Sequence, residues 1–200
     1  MKEMKMIMLG IICLTLSADK MKAQIMQPGN MTVSVGYGFP TLTKTVFSVI
    51  DGQNISTNYI GPVYGKFEYM INETVGFGMN FAYTYGSASY QTSGAAETDS
   101  LFYNTSFKYK SYSALARFNF HFGSSTNFDP YAGVGLGYRN SNYSYTSGDP
   151  NYNPKDINGF NHFGLDFTIG ARLFFTENIG VYGEVGVAKS PMQVGIIAKF

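Results

Sequence analysis

His162-Phe163-Gly164-Leu165-Asp166-Phe167-Thr168-Ile169-Gly170-Ala171-Arg172-Leu173-Phe174-Phe175 is the stretch that decides the architecture. Phe163, Leu165, Phe167, Ile169, Ala171, Leu173 and Phe175 fall on one parity; His162, Gly164, Asp166, Thr168, Gly170 and Arg172 fall on the other. A repeat of two residues belongs to a β-strand whose faces meet different surroundings, because successive side chains point to opposite sides. Only Phe174 interrupts the pattern.

The same alternation runs through the chain from Met31 onward. It predicts eight strands, over roughly 31–39, 59–71, 74–86, 105–122, 130–145, 161–175, 179–188 and 191–200. The apolar parity carries residues such as Val33, Val35, Phe67, Phe77, Phe118, Leu136, Val185 and Ile196, and no charge. The opposite parity carries Lys66, Glu68, Arg117, Arg139, Asp166, Arg172, Glu184 and Lys199, with many glycines and small polar residues.

A soluble β-sandwich and a transmembrane barrel both alternate, with opposite faces turned to water. Three features select the barrel. Short joins at 72–73, 123–129 and 176–178 alternate with long ones at 40–58, 87–104 and 146–160, as periplasmic turns alternate with external loops; only the last outer join, around Lys189-Ser190, is brief. Tyr37, Phe39, Tyr69, Tyr83, Tyr85, Phe120, Phe122, Tyr138, Phe163 and Phe175 sit near strand ends, where interfacial girdles form. The sequence also finishes on a strand, at Phe200. The fold class read here is all-β, an eight-stranded antiparallel up-and-down transmembrane barrel whose polar parity points inward.

Ahead of the strands, Met6–Leu16 is the one sustained apolar run, follows Lys2 and Lys5, and is too short to cross a bilayer as a helix. It is read as a signal peptide over residues 1–23, cleaved after Ala23, with Ala18 as the alternative. Residues 24–200 then form a single outer-membrane barrel domain, exported to the outer membrane of a Gram-negative bacterium. Cys13 lies inside the leader behind Ile12, which is not the small residue a lipoprotein signal carries, and the mature chain keeps no cysteine for disulfides, thiol catalysis or metal binding. Removing the four Lys and two acidic residues of 1–23 from the 14 basic and 13 acidic side chains leaves 10 against 11. That balance excludes an electrostatic footprint for nucleic acid.

The final octet, Gln193-Val194-Gly195-Ile196-Ile197-Ala198-Lys199-Phe200, resembles the C-terminal assembly signal of outer-membrane barrels, with Ala198 a small occupant of its hydrophobic slot. The resemblance implies recognition by the outer-membrane assembly machinery, with Gly195 and Phe200 as its key positions. In strand count, length and polar interior, residues 25–200 resemble the small barrel family that includes the OmpA transmembrane domain and OmpX. That family spans adhesins, structural proteins, small transporters and lipid-modifying enzymes, so the resemblance fixes architecture rather than activity.

A barrel of eight strands is narrow enough to be filled by its own side chains. The inward charges are expected to form a paired network, since unpaired charge is intolerable there. Inward glycines 76, 78, 133, 135 and 137 flank the fourth strand and leave room for Arg117, and a hairpin turning at Glu177 sets Arg172 opposite Tyr182, within reach of Glu184. His121 and His162 are read as separate inward residues near opposite rims, with no catalytic constellation, metal set or cofactor motif around them; a pairing of His162 with Asp166 is the nearest approach to one. Asp149, Asp156, Glu97 and Asp99 match no calcium loop. Tyr90, Phe102, Tyr103, Tyr143, Tyr145 and Tyr152 are the candidate recognition residues of the outer loops. Between Phe107 and Tyr112 the alternation changes phase, which predicts a bulge or the membrane boundary.

The function expected is that of a non-enzymatic barrel contributing to envelope integrity and surface contact or adhesion, with outer-membrane lipid, lipopolysaccharide and an unspecified surface ligand as partners. The alternatives are a small-solute channel and, further off, a lipid-modifying enzyme.

Overall fold

The structure is a computed structural model that describes residues 25–39, 56–93, 102–123, 125–149, 156–158 and 162–200. The proposed leader therefore lies outside the described residues. The strands are β1 (Met31–Phe39), β2 (Ser56–Met70), β3 (Val75–Ser93), β4 (Phe102–His121), β5 (Phe128–Ser147), β6 (Asp156–Asn158), β7 (Phe163–Phe174), β8 (Ile179–Val187) and β9 (Met192–Lys199). All pairings are antiparallel, in the order β4-β3-β2-β1-β9-β8-β7-β5, and β4 pairs with β5 to close the ring. The result is a closed eight-stranded up-and-down barrel. The three-residue β6 pairs with Asn142–Ser144 of β5, beyond the end of β7.

Alternation becomes two environments directly. Leu165 is 52% exposed on the outer surface, whereas its neighbour Asp166 is 1% exposed in the lumen. None of the apolar-parity positions named above is buried, so the barrel wears its hydrophobic residues outside. Such a surface is stable in hydrocarbon and would be a liability in water. Closure leaves no strand edge to be satisfied by lipid, which is the condition for a sheet to cross a bilayer.

The short turns are held by side chains that replace the missing ladder. Asn72 Oδ1 accepts from the amides of Thr74 and Val75 at 2.8 Å each, and Thr176 Oγ1 accepts from the amide of Ile179 at 3.0 Å. Both are Asx- or hydroxyl-type turns, the local chemistry these residue types favour.

Several boundaries differ from those read in the sequence. β3, β4 and β5 continue to Ser93, back to Phe102 and on to Ser147, so much of the expected outer loops is paired sheet that rises above β1, β7, β8 and β9. The phase change in β4 involves no bulge: its ladders with β3 and β5 keep register through 105–121. Odd residues stay inward throughout, and Lys108 and Lys110 are exposed on the same outer face that carries Tyr112 and Phe118 lower down. What changes is the medium outside the barrel. The register does shift in β2, between Ile60 and Val63, which is why both of these apolar side chains face out.

Ahead of β1, Ile25 and Met26 enter the barrel end where the short turns lie. Met26 is fully buried, and with Ile25 it joins Met70, Phe174, Tyr182 and Ile197 in an apolar cluster. The Ile25 amide donates to Ser125 O at 2.9 Å, and Lys199 Nζ donates to Ile25 O at 3.0 Å. Phe174, the residue that broke the alternation, is inward and packs in this stopper.

Candidate functional site: the ion-paired lumen

Four strands aim charged side chains at one level of the lumen. Arg117 of β4 is central: its Nη2 donates to Glu184 Oε1 at 3.0 Å and to Thr168 Oγ1 at 2.6 Å, and its Nη1 lies 3.2 Å from Asp166 Oδ2. Its Nε donates to Asn119 Oδ1 at 2.7 Å. Glu184 of β8 also receives Lys66 Nζ at 2.7 Å and the Tyr131 hydroxyl at 2.6 Å. Asp166 of β7 accepts from Asn80 Nδ2 at 2.7 Å.

A second knot lies nearer the short-turn end. Arg172 is ion-paired with Glu68 and, at 3.4 Å, with Asp129. His121 sets Nδ1 2.9 Å from Asp129 and Nε2 3.1 Å from Glu68. Both ring nitrogens face carboxylate oxygens, which only accept, so both contacts are hydrogen bonds only when the ring carries two N–H groups. With that imidazolium counted, Glu68, Asp129, Asp166 and Glu184 are balanced by Lys66, Arg117, Arg172 and His121. Aromatic faces add to the cation sites: the Arg172 guanidinium lies 4.3 Å from the Tyr131 ring centre, and Lys66 Nζ lies 4.6 Å from that of Tyr182.

The inner glycines make room for these groups. A Cβ at Gly133 would collide with the Arg117 guanidinium and Asn119, and one at Gly76 would collide with the Glu68 carboxylate. Between Lys66, Glu68, Arg117, Tyr131 and Arg172 a cavity of about 10 Å³ remains. That is room for about one water molecule.

Of the inward charges read from the sequence, Lys66, Glu68, Arg117, Asp166, Arg172 and Glu184 meet in this network. Arg139 and Lys199 do not. Arg139 donates to Leu165 O at 3.2 Å near the long-loop end, and Lys199 reaches Ile25 O at the opposite end. Arg172 does lie opposite Tyr182 in the ladder, but its carboxylate partners are Glu68 and Asp129 rather than Glu184. Asp129 is its direct partner in the β5–β7 ladder, and Glu68 reaches it from β2 across the lumen. His121 is not isolated, as shown above. His162 is exposed and stacks on the outward Tyr138 at 5.4 Å, so it turns away from the lumen and from Asp166.

Asn80, Asn119, Asp129, Tyr131 and Thr168 are network members that sequence reasoning left out. Asn80, Asn119, Tyr131 and Thr168 share the inward parity of their charged neighbours, and that parity was the available signal. Asp129 was assigned to a turn and has the second place in β5.

Among the candidate recognition residues, Tyr143 and Tyr145 of β5 share the inner, concave side of the raised sheet with Phe107 and Tyr109 of β4 and Tyr90 of β3. Tyr143 packs on Tyr109 with ring centres 5.0 Å apart, and the Tyr90 and Tyr145 hydroxyls are 3.3 Å apart. Tyr103 is half-buried, Phe102 is exposed, and Tyr152 lies outside the described residues.

Gly195 and Phe200 lie at the closure of the ring. Gly195 stands opposite Gly36 in β1, where a Cβ would strike the Val35 carbonyl and the Tyr182 ring, and the backbone of Phe200 exchanges hydrogen bonds with Met31 at 2.8 and 3.0 Å.

Among solved structures, the chain is similar in fold to the N-terminal β-barrel domain of Pseudomonas aeruginosa OprF, at 15% identity and a TM-score of 0.41, over 87% of this chain and 98% of that one. It is similar to Ail, the attachment invasion locus protein of Yersinia pestis, at 18% identity and 0.46, over 87% and 100%. It is similar to the outer membrane protein OprG of P. aeruginosa at 10% identity and 0.41, over 90% and 99%. No curated protein matches the sequence. The family model described as outer membrane protein beta-barrel domain matches residues 9–190, nearly the whole chain, and with the closed barrel and its apolar exterior it places this protein in the outer membrane protein β-barrel family.

Proposed function

We propose that this outer-membrane barrel is a non-enzymatic, non-conducting envelope protein that presents its raised sheet and outer loops for surface contact. The filled lumen carries the reading: ion pairs and hydrogen bonds occupy the level of Arg117, and Ile25 and Met26 stopper the end below it. A solute path would require this network to part and its charges to be resolvated. The long-loop end is read as external, and the aromatic concave face of β3, β4 and β5 supplies rigid, amphipathic contact area of the kind recognition surfaces use. Purified folded protein in planar bilayers is expected to give negligible conductance. Large, stable channels would replace this reading with that of a solute channel, and a mass change in lipid A or phospholipid on incubation would make the protein an enzyme.

We assign the last strand to recognition by the assembly machinery, after export on a cleaved leader. Deleting Phe200 is expected to leave delivery to the periplasm intact and to reduce the folded fraction seen by heat-modifiable gel mobility. An unchanged folded fraction in cells would remove Phe200 from that role.

A further inference from the structure

The outer wall carries an open hollow of about 510 Å³. It follows from one row of the ladders, Val35, Gly65, Phe81, Ala114 and Tyr138, in which two small residues alternate with larger ones. A Cβ built on Gly65 meets nothing within 4 Å, so this glycine, unlike Gly76 and Gly133, makes no room for a lumen side chain and leaves a dip in the outer surface. Tyr83 and Tyr112, opposite each other in the next outward row, rim the hollow toward the long-loop end. There the wall turns polar: Tyr112 packs on Tyr138 with ring centres 6.2 Å apart, and its hydroxyl accepts from Asn140 Nδ2 at 3.1 Å.

Past that rim the next outward positions of β4 are Lys110 and Lys108, both exposed, about 7 and about 13 Å beyond Tyr112 at the rise of a strand. Lys110 lies between Tyr85 and Asn142 in the ladders, and Lys108 between Ser87 and Ser144. The acidic residue of β3, β4 and β5 is Asp129, buried in the lumen near the opposite end. Among the described residues neither lysine pairs with a carboxylate. Apolar hollow, tyrosine rim and uncompensated positive charge thus follow one another along one face of one strand. A lysine stem can lie along the wall while its ammonium stays in the polar layer above the hydrocarbon.

We propose that this face is a binding site for a phosphorylated glycolipid of the outer leaflet, with an acyl chain in the hollow beside Gly65 and Ala114 and phosphate on Lys110 and Lys108. The charges are complementary, and the order of chemistry along β4 is that of such a lipid from chain to headgroup. The two lysines are spaced to meet more than one phosphate oxygen group, and Ser87, Asn142 and Ser144 beside them offer hydrogen bonds to sugar hydroxyls. The site rests on the reading of the long-loop end as external, which sets these lysines at the outer leaflet.

The test is native mass spectrometry of the folded protein in an uncharged detergent, titrated with lipid A. A saturable one-to-one complex is expected, tighter than that with phosphatidylglycerol. Joint Lys108→Gln and Lys110→Gln substitution should weaken it about tenfold or more, as should removal of both phosphates from the lipid, whereas joint replacement by arginine should retain it. Gly65→Leu, which fills the hollow and leaves every charge in place, should also weaken it. Heat-modifiable mobility establishes that each variant is folded, and the dephosphorylated lipid supplies the comparison on the unaltered protein should a variant fail. Phosphatidylglycerol bound as tightly as lipid A, equal binding of the dephosphorylated lipid, or binding unchanged in the folded glutamine or Gly65→Leu variants overturns the proposal. The external placement is read separately, by labelling Asn104→Cys on intact cells with a polymer-linked maleimide too large to cross the outer membrane.

Discussion

Arg117→Met is expected to destabilise the folded barrel by about 3–5 kcal/mol, the cost of leaving buried carboxylates without their cation. Asp166 would lose its only ion-pair partner among the described residues and keep Asn80 alone, while Glu184 would retain Lys66, Tyr131 and Thr168. The damage should therefore centre on Asp166, and adding Asp166→Asn to Arg117→Met should recover part of the loss, a coupling that a double-mutant cycle measures. Urea unfolding in lipid vesicles, followed by gel mobility, gives the comparison. Arg139→Met serves as the control, since Arg139 has no carboxylate partner among the described residues. Equal losses at Arg117 and Arg139 would show that pairing in the network does not govern stability.

Leu165→Arg addresses the other side of the wall, at an expected cost of about 2–4 kcal/mol if the site lies near the bilayer midplane. Leu165 faces its ladder partner Leu136 on the outer surface, and Phe163 and Phe167 flank it on the same face. A guanidinium there has only hydrocarbon to enter or a long path to the interface. The same urea titration reads the loss. A soluble protein would tolerate the substitution at an exposed site, so a change within about 0.5 kcal/mol would contradict the membrane-facing assignment.

The alternation over 162–175 made the architecture legible, because a strand between lipid and a polar lumen writes both media into its sequence. The same rule failed where the medium changed along one face. Lys108 and Lys110 looked like a broken pattern, yet they continue the outer face of β4 above the hydrocarbon. Which charges lie inward is a local property and was readable; which carboxylate each cation meets is not. Glu68 and Arg172 come from β2 and β7, and Lys66 and Glu184 from β2 and β8, strands that meet only across the lumen. Hairpin adjacency, the information available in sequence, pointed Arg172 to Glu184 instead. The stopper was invisible for a different reason: Ile25 and Met26 belong to no periodic element, and their burial follows from Asn30 and Gly29 turning the chain at the barrel rim, where the Gly29 amide donates to Met70 O.

The central claim, an apolar outer face set in lipid beneath a water-exposed extension of the same sheet, is tested most directly by spin labels along the outer face of β4. Labels at Phe118 and Lys110 lie on the same side of one strand and disturb none of the lumen. The account predicts relaxation by lipid-soluble oxygen at 118 and by a water-soluble nickel chelate at 110. Nickel access at 118 equal to that at 110 would contradict it.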